Sequence, residues 1–163
     1  MLTTFTTRSA TPADAARIAS IYNEGIEDRI ATFETRPRSP EEVSEWLGGR
    51  HPVIVVERDH EVVGFAAAFT YRPRECYAGV AEFSVYVARA ARREGAGRAA
   101  MCALMGAALE RGFWKLVSRV FVENAASRAL LASLGFREVG IYHRHAQLDG
   151  VWRDVVIVEK LLG

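Results

Sequence analysis

A segment rich in arginine and glycine, Val87–Arg98, limits the folds open to this chain more than any other. It joins a run of β-branched and aromatic residues to a long apolar run, and it holds four arginines beside one glutamate. Glycines at 95 and 97 let the backbone approach a ligand closely, and the free amides of a helix start favour a phosphate. The segment therefore predicts a strand, an anion-binding loop and a helix in succession.

Two other interpretations of this segment compete with a phosphate loop. Gly95–Ala100 matches G-x-G-x-x-A, the dinucleotide fingerprint, and Glu123 follows the next predicted strand as a candidate ribose ligand. In that fingerprint the first glycine turns directly off the strand, whereas Ala88–Glu94 intervene here, and the chain after residue 80 is too short for two mononucleotide-binding halves. The second alternative is a solvated connection whose arginines face water. We favour phosphate binding.

Length and charge limit the organisation and the partners of the chain. Its 163 residues are 50% hydrophobic and 25% charged, which predicts one globular domain over residues 1–163. The 21 basic and 20 acidic residues leave a formal charge of +1. Proteins that coat nucleic acid or anionic membranes need a surplus of basic residues, so we expect neither partner. Any anion site must be local.

The cysteines and the apolar runs indicate a cytoplasmic protein. Cys76 and Cys102 are the only cysteines, which suits free thiols in a reducing compartment better than a disulfide framework or a zinc site. The start of the chain lacks the long apolar run of a secretory leader. The longest uncharged apolar stretch, Ala99–Leu109, is well short of the roughly 20 residues that span a bilayer.

Capping and turn signals divide the chain into elements. Thr11–Asp14 and Ser39–Glu42 each predict a helix start with proline in first position, the second helix stopping at Gly48–Gly49. Asp149-Gly150 predicts a tight turn. After a possible first strand, the order predicts an α/β (α+β) fold: a mixed sheet of about seven strands with about four helices. Its ends are antiparallel, with parallel neighbours around the two later helices. Helices are expected at about 12–26, from 40, and at 99–110 and 125–134, a loop at 27–38, and strands at 53–58, 61–69, 78–87, 115–122, 137–148 and 151–161.

Two motifs resemble those of the GCN5-related N-acetyltransferase (GNAT) superfamily. Arg92-x-x-Gly95-x-Gly97, after a strand and before a helix, resembles its coenzyme A pyrophosphate loop. Asn124-x-x-Ser127, ending in Leu134–Phe136, resembles its other recurrent motif, and the order of elements fits that fold along nearly the whole chain. The resemblance implies acetyl-CoA as co-substrate and no metal. The expected acetyl-CoA contacts are Val85, Tyr86, Val87, Arg92, Arg93, Glu94, Gly95, Ala96, Gly97, Arg98, Asn124 and Ser127.

A carboxylate in an apolar strand is the candidate catalytic residue. Strand alternation over Ala81–Val87 puts Glu82, Ser84 and Tyr86 on one face and the apolar residues on the other. Glu82 would take a proton from an ammonium substrate, directly or through water, with burial favouring its protonated form. The alternative is a carboxylate on a solvated strand face. The position just before the loop favours the base, and the resembling fold places an oxyanion-binding amide near Val85.

The second motif contains one departure from the superfamily. Many members carry Tyr, and some His, four positions after the motif serine, as an acid for the departing thiolate, and here that position is Leu131. A thiol pKa of about 8.5 lets water take that role. Ser84, Tyr86 and Tyr142 are side-chain alternatives. For Asn124 the alternative role is capping of the helix that follows it.

Three stretches, Ile21–Ile26, Ala31–Thr35 and Tyr71–Glu75, resemble the phosphinothricin, methionine sulfoximine and arsinothricin N-acetyltransferase branch. That resemblance implies direct acetyl transfer, in a ternary complex, to the α-amino group of a small amino acid whose side chain ends in a tetrahedral oxyanion, and it implies a homodimer. A guanidinium fork suits such oxygens, although arginines beside a proline turn can simply be solvated. The expected substrate contacts are Arg72, Arg74, Glu82, Ser84 and Phe33.

Other acceptors and a non-catalytic role stay open at this point. A protein N-terminus, a polyamine or an aminoglycoside could be the acceptor, and a basic acceptor should need acidic groups where Arg72 and Arg74 stand. Leu131 also leaves room for a module that binds coenzyme A without chemistry. His143 and His145 are expected to share a strand face, but two histidines without a nearby cysteine or acidic cluster make a poor zinc site.

Overall fold

The structure, a computed structural model that describes residues 4–163, contains seven strands and four helices within that range. The strands are β1 (Thr6–Ser9), β2 (Val53–Arg58), β3 (Glu61–Thr70), β4 (Val80–Val87), β5 (Lys115–Phe121), β6 (Arg137–Leu148) and β7 (Val151–Leu161). The helices are α1 (Ala15–Asp28), α2 (Pro40–Ser44), α3 (Ala96–Glu110) and α4 (Ala125–Ser133). The predicted mixed sheet of seven strands with four helices is confirmed.

The sheet has the order β1-β2-β3-β4-β5-β7-β6, and only β4 and β5 run parallel. The prediction of parallel neighbours is right for the crossover through α3 and wrong for α4. There β7 lies between β5 and β6 and pairs antiparallel with both. The reason is the tight turn at Asp149-Gly150, where both residues have positive φ, because strands joined by so short a turn must be antiparallel.

Three helix bounds differ from the sequence expectation. Helix α1 runs two residues further, to Asp28, and Arg29 then takes a left-handed conformation with φ 58°. Helix α2 ends at Ser44, well before Gly48, although Ser39 caps it as expected by accepting the Glu42 N–H. Helix α3 begins at Ala96, three residues earlier, so the glycine loop is continuous with the helix start.

The two faces of the sheet are covered by different helices. On one face α3 and α4 cover a core that includes Phe83, Met101 and Leu131. On the other face α1 and α2 cover a second core that includes Ile18 and Phe65. No helix of residues 4–163 is long and apolar enough to cross a membrane.

The parallel pair in the middle of the sheet separates early. Strands β4 and β5 are paired over three residues each, Val80–Glu82 of β4 with Lys115–Val117 of β5. Beyond those positions β4 stays paired with β3 and β5 stays paired with β7, so the two strands diverge. A gap therefore opens in the centre of the sheet, between the second halves of β4 and β5.

Candidate active site

The gap between β4 and β5 opens into a cavity on each side. The one beside α4 has a volume of about 60 Å³ and the one on the opposite side about 380 Å³. The two share the wall residues Ala31, Phe83, Ser84, Tyr86, Ser118 and Arg119. A molecule that enters beside α4 therefore comes within reach of one held on the opposite side. The cavity beside α4 is called the gap pocket below, and the larger one the acceptor cavity.

Glu82 lies in the wall of the acceptor cavity, together with Ser84 and Tyr86. The predicted alternation of β4 is confirmed, because Ala81 and Phe83 lie in the core beneath α3. The expected burial of Glu82 in apolar surroundings is wrong. Its side chain is 29% exposed and its Oε1 accepts a hydrogen bond from Arg119 Nη2 at 2.8 Å. The neighbouring strand β5 brings that guanidinium to the same place.

Arg119 is a site residue that the sequence reasoning missed. Besides Glu82 it contacts His145, with 3.2 Å between Arg119 Nη1 and His145 Nε2. Because a guanidinium only donates, His145 Nε2 is the acceptor in this contact. The available signal was a charged residue in the middle of an otherwise largely apolar strand.

Aromatic side chains form the remaining wall of the acceptor cavity. Phe33 lines it, with its ring centre 4.8 Å from that of Phe121 in an edge-on arrangement. Tyr22 and Tyr86 pack edge-on at 5.0 Å. Burial and the adjacent Tyr22 raise the pKa of Tyr86. The structure therefore brings three expected substrate residues together, Phe33, Glu82 and Ser84.

The structure places Arg72 and Arg74 outside both cavity walls. Both are exposed in the segment that follows β3. The Arg72 guanidinium lies 5.0 Å from the ring centre of Tyr71, and a hydrogen bond with Tyr71 and the negative charge of Glu82 raise its pKa. The role of Arg72 and Arg74 in substrate binding stays a prediction.

The loop before α3 has the backbone of an anion site. Gly95 has φ +100° at the N-cap of α3, a conformation that suits glycine. The N–H groups of the first helical turn, from Ala96 onward, have no partner within the helix and point out of its end. A Cβ on Gly97 would lie 3.3 Å from Leu130 and 3.5 Å from Val87, so the helix start packs closely on β4 and α4.

The charge of this loop is lower than the sequence suggested. Arg89 and Arg92 both contact Asp28 at the end of α1, at 2.8 and 2.6 Å. Burial alone would raise the pKa of Asp28, but its contacts with these arginines outweigh that effect and lower it. Glu94 is paired with Arg58. The sequence predicted that α1 ends at Ile26. The helix instead continues to Asp28, which brings this carboxylate to Arg89 and Arg92.

Two loop arginines keep their charge available. Within residues 4–163 neither Arg93 nor Arg98 has a carboxylate partner. Arg98 donates to the Ser133 hydroxyl at 2.8 Å, and Arg93 is exposed with φ 66°. These two side chains and the α3 amides are the groups here that can meet a pyrophosphate.

The start of α4 lines the gap pocket. Asn124 caps the helix by accepting the Ser127 N–H at 3.2 Å, as the capping alternative predicted, and donates to the Ile30 carbonyl at 3.4 Å. Both residues also line the gap pocket, as does Val85 from β4. Leu131 is 1% exposed in the same wall, so an apolar side chain occupies the position of the expected acid.

The histidines of β6 lie on opposite faces, which corrects the expectation that they share one. The register of β6 against β7 is irregular between Tyr142 and Ala146, and Arg144 has φ 47°. His143 contacts Asp154 at 2.9 Å, whereas His145 lines the acceptor cavity with Val155, the next residue of β7. Successive strand residues point to opposite faces. Residues 4–163 hold no group of three potential metal ligands.

The sequence profile of the "Acetyltransferase (GNAT) family" matches residues 18–136. The chain belongs to this family. The GNAT chain is 33% identical to a phosphinothricin N-acetyltransferase of Alcaligenes faecalis, over 96% of this chain and 82% of that one. It is 31% identical to an L-methionine sulfoximine/L-methionine sulfone acetyltransferase of Pseudomonas aeruginosa, over 93% and 91%.

Solved structures agree with this assignment. A ribosomal-protein-alanine N-acetyltransferase from Brucella melitensis matches with TM-score 0.91 and 37% identity, over 96% of this chain and 99% of that one. A GNAT superfamily phosphinothricin acetyltransferase from Sinorhizobium meliloti, in complex with AcCoA, matches with TM-score 0.91 and 31% identity, over 98% and 89%. This GNAT protein is an acetyl-CoA-dependent N-acetyltransferase.

Acetyl-CoA fits the residues present. The open end of α3, with Gly95 and Gly97 kept free of side chains, suits the pyrophosphate. The gap pocket, with the Asn124 amide and the Ser127 hydroxyl in its wall, suits an extended arm that must reach the acceptor cavity.

Proposed function

We propose that this GNAT enzyme acetylates the α-amino group of a small amino-acid analogue of the phosphinothricin, methionine sulfoximine or arsinothricin type, by direct attack in a ternary complex. One observation carries the proposal. A carboxylate, Glu82, lies in a cavity that shares its wall with the pocket expected to hold acetyl-CoA. The relatives named for phosphinothricin and methionine sulfoximine support the acceptor class.

The contribution of the chain to the cofactor is binding and orientation. Acetyl-CoA supplies the thioester-activated acetyl group. The α3 amides with Arg93 and Arg98 would hold its pyrophosphate, and Val85, Asn124 and Ser127 would line the path of its arm. The Val85 backbone amide is the expected donor to the carbonyl oxygen that becomes negative during transfer.

Proton removal is the task of Glu82. An amino-acid amine is mostly protonated at neutral pH and cannot attack until it loses that proton. Glu82 faces the cavity with 29% of its side chain exposed, so it can accept the proton directly or through water. Arg119 holds the carboxylate in place by donating a hydrogen bond to its Oε1 at 2.8 Å.

The departing thiolate has no protein acid at the position that many family members use. Leu131 is apolar and buried there. Tyr86 stays a neutral phenol, because burial raises its pKa. We therefore assign protonation of the thiolate to water, since a thiol pKa of about 8.5 makes it an acceptable leaving group.

A second candidate acceptor is a protein N-terminus. It is favoured by the 37% identity to the chain described as a ribosomal-protein-alanine N-acetyltransferase. Basic acceptors are disfavoured, because Arg119 lines the acceptor cavity. A polyamine or an aminoglycoside would bring like charge to this arginine.

Thiol release from acetyl-CoA tests the proposal. Phosphinothricin, methionine sulfoximine, arsinothricin, spermidine and an alanine-initiated peptide are offered in parallel at equal concentration. We expect release with one or more of the three amino-acid analogues, at a higher kcat/KM than with spermidine or the peptide. A preference for the peptide would select the second candidate. Tight acetyl-CoA binding without release to any amine would overturn both.

A further inference from the structure

The acceptor cavity carries one charge of each sign side by side. Glu82 and Arg119 are joined at 2.8 Å, with 29% and 43% of their side chains exposed. The second arm of the guanidinium, Nη1, lies 3.2 Å from His145 Nε2. The cavity wall therefore presents an anion and a cation on adjacent strands, each held by a partner that a ligand can replace.

The charges of the acceptor decide whether Glu82 and Arg119 each keep a partner of opposite charge when the acceptor binds. An ammonium that binds Glu82 weakens the contact with Arg119, and a partly desolvated guanidinium without an anion is unfavourable. A carboxylate carried by the same acceptor restores that partner. In an α-amino acid the ammonium and the carboxylate are attached to one carbon, which matches the direct contact of Glu82 with Arg119.

We propose that the Glu82–Arg119 pair selects acceptors with a free α-carboxylate, Arg119 binding that carboxylate while the α-amine lies at Glu82. This inference rests on the proposed function and narrows its substrate class. Arg119 is thereby a specificity-determining residue. The exposed Arg72 and Arg74 remain available for the far end of the substrate, beyond the cavity wall.

His145 is the positioning residue in this arrangement. When Arg119 Nη2 turns from Glu82 to a substrate carboxylate, Nη1 keeps its acceptor on His145 Nε2. The His145 ring is packed between Tyr142, at 5.1 Å between ring centres, and Phe33, at 6.4 Å. Arg119 therefore stays in the cavity after its contact with Glu82 has opened.

The test compares methionine sulfoximine with its α-carboxamide, which keeps the amine and removes the negative charge. We expect wild-type kcat/KM to favour the free acid by roughly 10- to 100-fold, the range for a hydrogen bond to a charged group. In Arg119→Gln the preference should fall to within about threefold, through a higher KM for the acid. His145→Ala should lose part of the preference.

The control is Arg137→Gln, which removes a 65% exposed arginine on β6 paired with Glu159 and should leave the preference unchanged. Acetyl-CoA affinity measured by calorimetry shows that each variant is folded, and Arg119→Lys, which keeps the charge, should retain a reduced preference for the acid.

Equal wild-type rates with acid and amide, or an unchanged preference in Arg119→Gln, would overturn this inference and leave the proposed function standing. No release with any amine would remove the proposed function itself.

Discussion

At the scale of single residues, Tyr86 is the candidate side chain for protonating the departing thiolate. Tyr86 lines both cavities, but burial raises the pKa of its hydroxyl, and a donor far weaker than the thiol gives up its proton reluctantly. We expect Tyr86→Phe to keep kcat within about threefold of wild type, against the roughly 100-fold or larger loss on removing a general acid. The measurement is kcat between pH 6 and 9 at saturating acetyl-CoA.

Tyr22→Phe is the matched control, because Tyr22 lies in the same cavity wall and its pKa is also raised by burial. Both variants should show the same dependence of kcat on pH as wild type at the alkaline end of the range. A 100-fold drop in kcat for Tyr86→Phe alone, with acetyl-CoA binding intact, would make Tyr86 the acid.

Single residues were predictable from sequence where one strand decides their place. Alternation along β4 placed Glu82 and Ser84 correctly, because it needs no knowledge of neighbouring strands. Arg119 was missed because its contact with Glu82 depends on β4 and β5 pairing in parallel across 37 positions of sequence. The neutralisation of Arg92 by Asp28 was missed because helix α1 was expected to end at Ile26, before Asp28.

The start of α3 is the element whose geometry the cofactor site needs most. Gly95 has φ +100°, and a side chain there costs about 1–2 kcal/mol. We expect Gly95→Ala to shift the loop and raise the KM for acetyl-CoA by roughly tenfold, with kcat at saturation little changed. Initial rates at varied acetyl-CoA and saturating acceptor measure both.

A second glycine of α3 offers the control. Gly106 is exposed and has open space where its Cβ would lie. Gly106→Ala should therefore leave the KM unchanged and stabilise the helix by about 0.5–1 kcal/mol. An unchanged KM in Gly95→Ala would show that the cofactor does not depend on this turn.

Elements with local signals were predicted well. Strands β2, β6 and β7 have the expected bounds, because turn residues flank them. The neighbours of β6 and β7 were predicted less well, since strand order depends on which partner buries each face. The irregular register after Tyr142 carries no sequence signal that we identified, yet it decides which histidine faces the acceptor cavity.

The whole molecule leaves one long edge of the sheet open. Strand β6 lies at that edge and exposes Val139 and Ile141, at 44% and 46%. Edge strands with apolar side chains tend to pair or pack with another chain. We propose the expected homodimer, with β6 in its interface. Sedimentation velocity should show a dimer that Ile141→Arg shifts toward monomer, and a monomeric wild type at micromolar concentration would contradict it.

The central claim concerns the molecule at work: Glu82 takes the proton from the acceptor amine. The most direct measurement is kcat against pH for Glu82→Gln and wild type, with methionine sulfoximine and saturating acetyl-CoA, and Glu110→Gln on the exposed end of α3 as control. We predict unchanged acetyl-CoA affinity and a kcat at least about 100-fold lower in Glu82→Gln, the deficit being largest at low pH, where most of the amine is protonated. Wild-type turnover of Glu82→Gln across the pH range would contradict the claim.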